Sequence, residues 1–334
     1  MKILFVFTGG TIGSTKQGNV IGTDKGKPYV LLQMYHMAYG LDFEYECVTP
    51  YIALSENNTG ETLRPLFACI KEYLPRGYDG IVVTHGTDTL QYSAAALSYA
   101  FADIPIPLCL VSSNYTLEDP RANGLANLRG ALRFIAEVGT PGVFVSYQNT
   151  GEPLCIHRGT RLMEGMAFTD RVESILSAHY GTFCGEGPFV KNPDYKEISD
   201  EMPCPGILPL DEASAQILRV YPHPGMVYPA LSEGVRYVLH TSYHSGTINT
   251  VSGEALRFFA EAKERNIPVF LTGVVPGDAY ASTKAFETLG VRRIYNLASV
   301  SAYMKLWMLD VLHCGGPVSA EMLQRSLAGD VVPM

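Results

Sequence analysis

No apolar run in this 334-residue sequence reaches the ~18 residues that a bilayer-crossing helix needs, although 47% of the chain is hydrophobic. A basic leader followed by an apolar stretch is also lacking, which predicts a soluble protein that works in the cytoplasm, away from membranes. Basic residues are scarce. With Lys and Arg numbering 25 against 33 Asp and Glu, the formal charge is -8, and the chain has too few cations for a phosphate-binding face; nucleic acid is not expected as a partner. Seven cysteines (Cys47, Cys69, Cys109, Cys155, Cys184, Cys204, Cys314) are odd in number, scattered and free of any C-x-x-C, so neither a disulfide framework nor a zinc site is indicated. Reduced thiols fit a cytosol.

What is present is alternation. Short apolar runs at Lys2 to Phe7, Phe43 to Val48, Gly80 to Thr84, Leu108 to Ser112 and Gly142 to Tyr147 read as strands. Between them, three- and four-residue apolar spacing predicts helices at Val30 to Ala38, Glu61 to Tyr73, Thr89 to Phe101 and Pro120 to Ala136. That order predicts a parallel sheet wrapped by helices on both faces. From Gly181 to Pro229 glycine and proline break the pattern, which reads as a hairpin followed by a linker. Strands near Tyr237 to Thr241, Val269 to Thr272 and Arg293 to Leu297 then alternate with helices near Gly253 to Arg265, Thr283 to Leu289, Val300 to Leu309 and Ser319 to Leu327. The expected organisation is an α/β domain over 1–195, a linker over 196–214 and a smaller α/β domain over 215–334, with no internal repeat.

Two threonine-rich loops leave the ends of predicted strands, where open α/β sheets bind their ligands. The first is Thr8-Gly9-Gly10-Thr11-Ile12-Gly13, and the second runs from Thr84 through His85, Gly86, Thr87, Asp88 and Thr89 into a helix. Gly9, Gly10, Gly13 and Gly86 permit positive φ and close backbone approach. The spacing of the first loop is not G-x-G-x-x-G, so a dinucleotide site is disfavoured and no cofactor is expected. An N-cap role for Thr87 or Asp88 is compatible with the second loop but leaves the surrounding histidine, glycine and threonines unexplained. His240 and His244, with no further ligand at metal spacing, read as polar loop residues rather than a metal site.

Together "TGGTIG" and "HGTDTL" resemble the two signature motifs of the bacterial-type L-asparaginases, nearest in pattern to the cytoplasmic type I enzymes. "GVFVSYQN", "RGTR" and "VSAYMKL" also resemble segments of that family, so the likeness covers most of the chain. It implies a two-domain fold: a larger flavodoxin-like parallel sheet flanked by helices, then a smaller α/β domain. It further implies hydrolysis of L-asparagine or a related small amide through a threonine acyl-enzyme. Thr11 would be the nucleophile, with Thr87, Asp88 and a lysine as a second catalytic set. Gly10 and Gly86 would line the substrate, Asp88 would hold its α-amino group, and Ser55 and Glu56 would contact the α-carboxylate and α-amino group; unaided, Leu54 to Asn58 reads as a polar loop. By the same likeness the protein is a homodimer or homotetramer in which the loop Tyr243 to Thr250 could complete a neighbour's pocket.

Two positions depart from the family pattern. Where the lysine is expected after "RGTR" stands Glu164, and no lysine occurs between Lys71 and Lys191. A carboxylate beside Asp88 would raise the pKa of one acid and leave Thr87 without a base; Arg158 or Arg161 could neutralise it. The alternative expectation is therefore an impaired relative that binds an acidic amino acid such as L-aspartate as a sensor or regulatory subunit. A transamidation subunit acting on aminoacyl-tRNA is a third reading, disfavoured by the acidic charge. The second departure is Asn19, where a loop tyrosine is expected; the nearest aromatic is Tyr29. Gly18, Gly22 and Gly26 with Lys16, Lys25 and Lys27 still give that loop the composition of a lid.

Overall fold

The computed structural model describes residues 1–10, 12, 14–17, 20–23, 28–206, 216–277, 280–313 and 316–333. In chain order the first half holds β1 (Lys2–Phe7), β2 (Ser14–Gln17), β3 (Val20–Thr23), α1 (Pro28–Tyr39), β4 (Glu44–Val48), α2 (Gly60–Tyr73), β5 (Gly80–Thr84) and α3 (Leu90–Ala100). There follow β6 (Pro107–Val111), α4 (Gly124–Glu137), β7 (Gly142–Gln148), β8 (Leu154–Arg158), β9 (Gly181–Phe183) and β10 (Phe189–Lys191). The last part holds β11 (Ile217–Val220), β12 (Tyr237–Thr241), α5 (Gly253–Glu264), β13 (Val269–Val274), α6 (Phe286–Leu289), β14 (Val291–Tyr295), α7 (Ser299–Leu312) and α8 (Ala320–Gln324).

The fold is α/β with two principal sheets. The larger has the order β10-β9-β8-β7-β6-β5-β1-β4, parallel from β7 to β4 and antiparallel at β8, β9 and β10. The smaller, β11-β12-β13-β14, is parallel throughout. Residues on β1 sort by the two-residue period of a strand: Ile3, Phe5 and Phe7 join the core of α1 and α4, while Leu4 and Val6 join that of α2 and α3. Burial on both faces is why β5 and β6 read as unbroken apolar runs. The second core also takes in Tyr237, Leu239 and Phe270 of the smaller sheet and Val300, Met304 and Trp307 of α7, which packs on α3, so one apolar mass joins the sheets.

Four strands escaped the sequence pattern: β2 and β3, which pair antiparallel within the span expected to be a lid loop, and β8 and β11. β8 carries His157 and Arg158 within an apolar stretch, and only Leu154 and Ile156 show its alternation. β11 lies inside the span expected to be irregular up to Pro229. Proline there forbids helices, but Ile217–Val220 pairs along β12 before Pro222 is reached. Of the expected linker, 207–214 lie outside the described residues. α4 begins at Gly124 rather than Pro120 because Asn114 and Asn123 bind each other's backbone amides at 3.0 Å and hold the approach as a turn. Among the described residues no helix is long and apolar enough to cross a membrane.

Candidate active site

β1 lies between β5 and β4, so the chain crosses over β1 between its second and third parallel strands and leaves a crevice at the carboxyl ends of β1 and β5. Both threonine loops emerge there, since Phe7 is level with Thr84 and Thr84 with Val111. The loops touch through backbone. Gly10 has φ of +77°, and a Cβ placed on it would lie 2.3 Å from the Gly86 nitrogen. Only glycine permits that contact. On the other side Gly10 N donates to Ala53 O and Ala53 N to Thr8 O, each at 3.0 Å, which draws in the loop after β4.

That third loop supplies Ser55, whose buried hydroxyl donates to Asp88 Oδ2 at 3.0 Å. Thr89 Oγ1 donates to Ser55 O at 2.9 Å, and Asn58 Nδ2 lies 3.2 Å from both Thr89 Oγ1 and His85 Nε2. His85 Nδ1 sits 2.8 Å from Gly86 O. Both ring contacts are met when Nδ1 carries the proton. Burial pushes the His85 pKa down, so the ring stays neutral and braces Gly86 from beneath. The sequence marked His85 only as an unexplained neighbour of the carboxylate and gave Asn58 no role; the packing shows what they do.

Thr87 is half-buried and Asp88 exposed, and both face a cavity of about 330 Å³ closed on its far side by Asn114 and the segment from Leu162 to Val172. Gln91 Nε2 donates to Asp88 O at 3.2 Å at its edge. The structure thus gathers Gly10, Ser55, Gly86, Thr87 and Asp88. Of these only Thr87 and Asp88 line the cavity; Glu56 is exposed and, like Gly10, Ser55 and Gly86, outside its lining. Thr11 and Asn19 lie outside the described residues; Gly10 and Ile12, on either side of Thr11, are buried. Tyr29 is part of α1.

Among the described residues Glu164 makes no hydrogen bond to Thr87 or Asp88; its partners are Tyr92, Arg219 and Tyr221. Its carboxylate accepts from Arg219 Nη2 at 2.9 Å and Nη1 at 3.1 Å, from Tyr92 at 2.6 Å and from Tyr221 at 3.0 Å. Burial alone would raise its pKa, but the bonds from Tyr92 and Arg219, the guanidinium charge and Tyr221 outweigh it and hold the carboxyl below its usual range. The expectation of a raised acid is corrected accordingly. Its neutralising cation is also not Arg158 or Arg161: Arg158 Nε donates to Ala328 O at 3.2 Å and Arg161 Nε to Gly329 O at 2.8 Å, both toward the C-terminal turn. Sequence spacing gave no sign of Arg219, which lies on β11 of the other sheet.

Because Glu164 is ionised more readily folded than unfolded, its contribution is complete above the ordinary carboxylate pKa of about 4.3 and is lost as pH falls through the lower folded value. Arg219→Met leaves a half-buried carboxylate with two phenols, and should lower stability at pH 7 by about 2 kcal/mol in urea unfolding. Glu164→Gln should flatten the fall of Tm between roughly pH 5 and 3 relative to wild type. Parallel curves would disprove the assignment.

In the second sheet, His240 is buried on β12 with Nε2 3.2 Å from the Tyr228 hydroxyl, and burial pushes its pKa down to about 4. His244 is exposed in the loop that follows. Among the described residues no three His, Cys, Asp or Glu side chains gather as a metal site.

A family model described as "Asparaginase, N-terminal" matches residues 2–184. The chain is 32% identical over 189 residues to one subunit of the glutamyl-tRNA(Gln) amidotransferase of Methanosarcina acetivorans, covering 54% of this chain and 43% of that protein. It is 24% identical over 293 residues to the protein of the same name in Methanococcus maripaludis, covering 83% and 68%. The first match therefore spans under half of that relative's length. The thermostable L-asparaginase from Thermococcus kodakarensis superposes with a TM-score of 0.77 at 24% identity over 100% of both chains. L-asparaginase I from Vibrio cholerae does so with 0.77 at 22% over 99% of each. Likeness at those identities concerns the fold.

Proposed function

Since this chain belongs to the asparaginase family, we propose that it is an amidohydrolase that releases ammonia from L-asparagine or a related small amino-acid amide. The hydroxyl of Thr11 would add to the side-chain carbonyl carbon, the C–N bond would break, and water would cleave the resulting ester. Thr87 and Asp88 form the second reactive pair, Ser55 and Glu56 hold the charged α-groups, and Gly10 and Gly86 leave room for them. The observation that supports this reading most is the contact of Gly10 with Gly86 beside the Ser55–Asp88 hydrogen bond, which brings three loops to one crevice. We further propose a cytoplasmic homo-oligomer, with domains over 1–195 and 215–334.

One observation favours a second reading. Among the described residues no lysine amine is bonded to Thr87 or Asp88, and the side chain at the expected lysine position is occupied by Arg219. A pocket without that amine would bind an acidic amino acid and turn over slowly or not at all. Ammonia release from L-asparagine, read beside calorimetry with L-aspartate, separates the two. Turnover supports the hydrolase; aspartate binding without turnover of any small amide supports the sensor.

A further inference from the structure

Resting on the hydrolase reading, we infer that the preferred substrate is an N-substituted amide of an acidic amino acid, whose apolar substituent occupies the cavity beyond Thr87. The sheet order sets the direction. Ser55 follows β4 on one side of the two threonine loops, and Asn114 follows β6 on the other. A substrate held by its α-groups at Ser55 and Asp88 extends its amide past Thr87 toward β6, which is where the cavity lies. The leaving nitrogen therefore points into the cavity.

The space there exceeds what ammonia needs. At about 330 Å³, against ~30 Å³ for one water in the liquid, it has room for a ring as well as an amide nitrogen. Its walls suit such a group. Leu162, Met163 and Met166 face it from the segment that closes the far side, and Met163 and Met166 are 42% and 57% exposed. Methionine thioethers adapt to varied apolar shapes and make favourable contacts with aromatic edges. The lining also carries the charged Asp170 and Arg171, and both are partnered at the far end: Asn114 Nδ2 donates to Asp170 Oδ2 at 2.6 Å, and Arg171 pairs with Glu152 at 2.7 Å and Glu173 at 2.9 Å. Asn114 is itself fixed by Asn123, so that end is preorganised.

The chemistry balances as it does for the simple amide. Thr11 Oγ bonds to the carbonyl carbon, the C–N bond breaks, the amine departs with the hydroxyl proton, and water cleaves the ester to give the free acid and restore the hydroxyl.

The test compares L-asparagine with its N-phenyl derivative, L-aspartic acid β-anilide, by release of L-aspartate, in wild type and Met166→Glu. We expect kcat/KM for the anilide to exceed that for asparagine by tenfold or more, and the variant to reduce that preference at least tenfold. Hydrolysis of asparagine with the anilide equal or poorer, or a preference that Met166→Glu does not alter, overturns the inference and leaves the hydrolase reading standing. If neither compound is cleaved, the hydrolase reading fails, and calorimetry decides the pocket: anilide binding tenfold tighter than L-aspartate and weakened by Met166→Glu supports it, and equal or no binding overturns it.

Discussion

Thr11→Ala should reduce amide hydrolysis by on the order of 10⁴ in kcat/KM, about 5.5 kcal/mol of transition-state stabilisation, with Tm changed little. The substitution deletes a hydroxyl and a methyl while keeping Gly10 and its contact with Gly86. Substrate binding through Ser55 and Asp88 should survive, so the loss falls on kcat more than on KM. Thr87→Ala should cost less, ~10² to 10⁴, because it removes proton transfer or positioning but leaves a nucleophile in place. Release of ammonia, or of amine from the anilide, measures both. Retention of a tenth of wild-type activity in Thr11→Ala would move the nucleophile elsewhere.

Much of this crevice was legible in the sequence because its parts are local. A glycine pair after an apolar run and a "HGTD" turn before a helix each specify backbone geometry within a few residues. Ser55 came from resemblance alone, and its bond to Asp88 is a long-range fact: Asn58, Thr89 and His85 form the brace that aligns them. Glu164 shows the limit more sharply. Spacing after "RGTR" locates the position but not the direction of the side chain, and the cation that claims it stands 55 residues away on another sheet.

The fold divides along the same line. β1, β5, β6 and β7 are buried on both faces, and their apolar runs announced them. β8 and β11 are strands because neighbours offer ladder partners: β7 and β9 take β8, and β12 takes β11. Short segments carrying arginine or histidine owe their conformation to that pairing rather than to propensity. "RGTR" itself changes meaning. Read first as a family-like segment that locates the expected lysine, it is also a clamp, with Arg158 and Thr160 bonded to Ala328 O and Arg161 to Gly329 O.

What that clamp grips depends on one ion pair, and breaking it should be the largest blow to stability. Lys305 of α7 and Asp330 are fully buried with Nζ 2.7 Å from Oδ2. Asp330 also accepts from Tyr99 at 2.9 Å and from Leu327 N at 3.0 Å, and Lys305 donates to Arg325 O. Lys305→Met leaves a desolvated carboxylate with two neutral donors, and should cost ~3 to 5 kcal/mol in urea unfolding. Adding Asp330→Leu removes the stranded charge, so the double variant should recover most of that loss, a non-additivity that a pair of independent contacts would not give. The turn from Leu327 to Asp330 holds Arg158, Thr160 and Arg161, and the next residues, Leu162 and Met163, line the cavity. Lys305→Met should consequently raise KM for the anilide more than for asparagine under conditions where the variant is still folded. An equal rise for both would mean that the ion pair supports the fold without shaping the pocket wall.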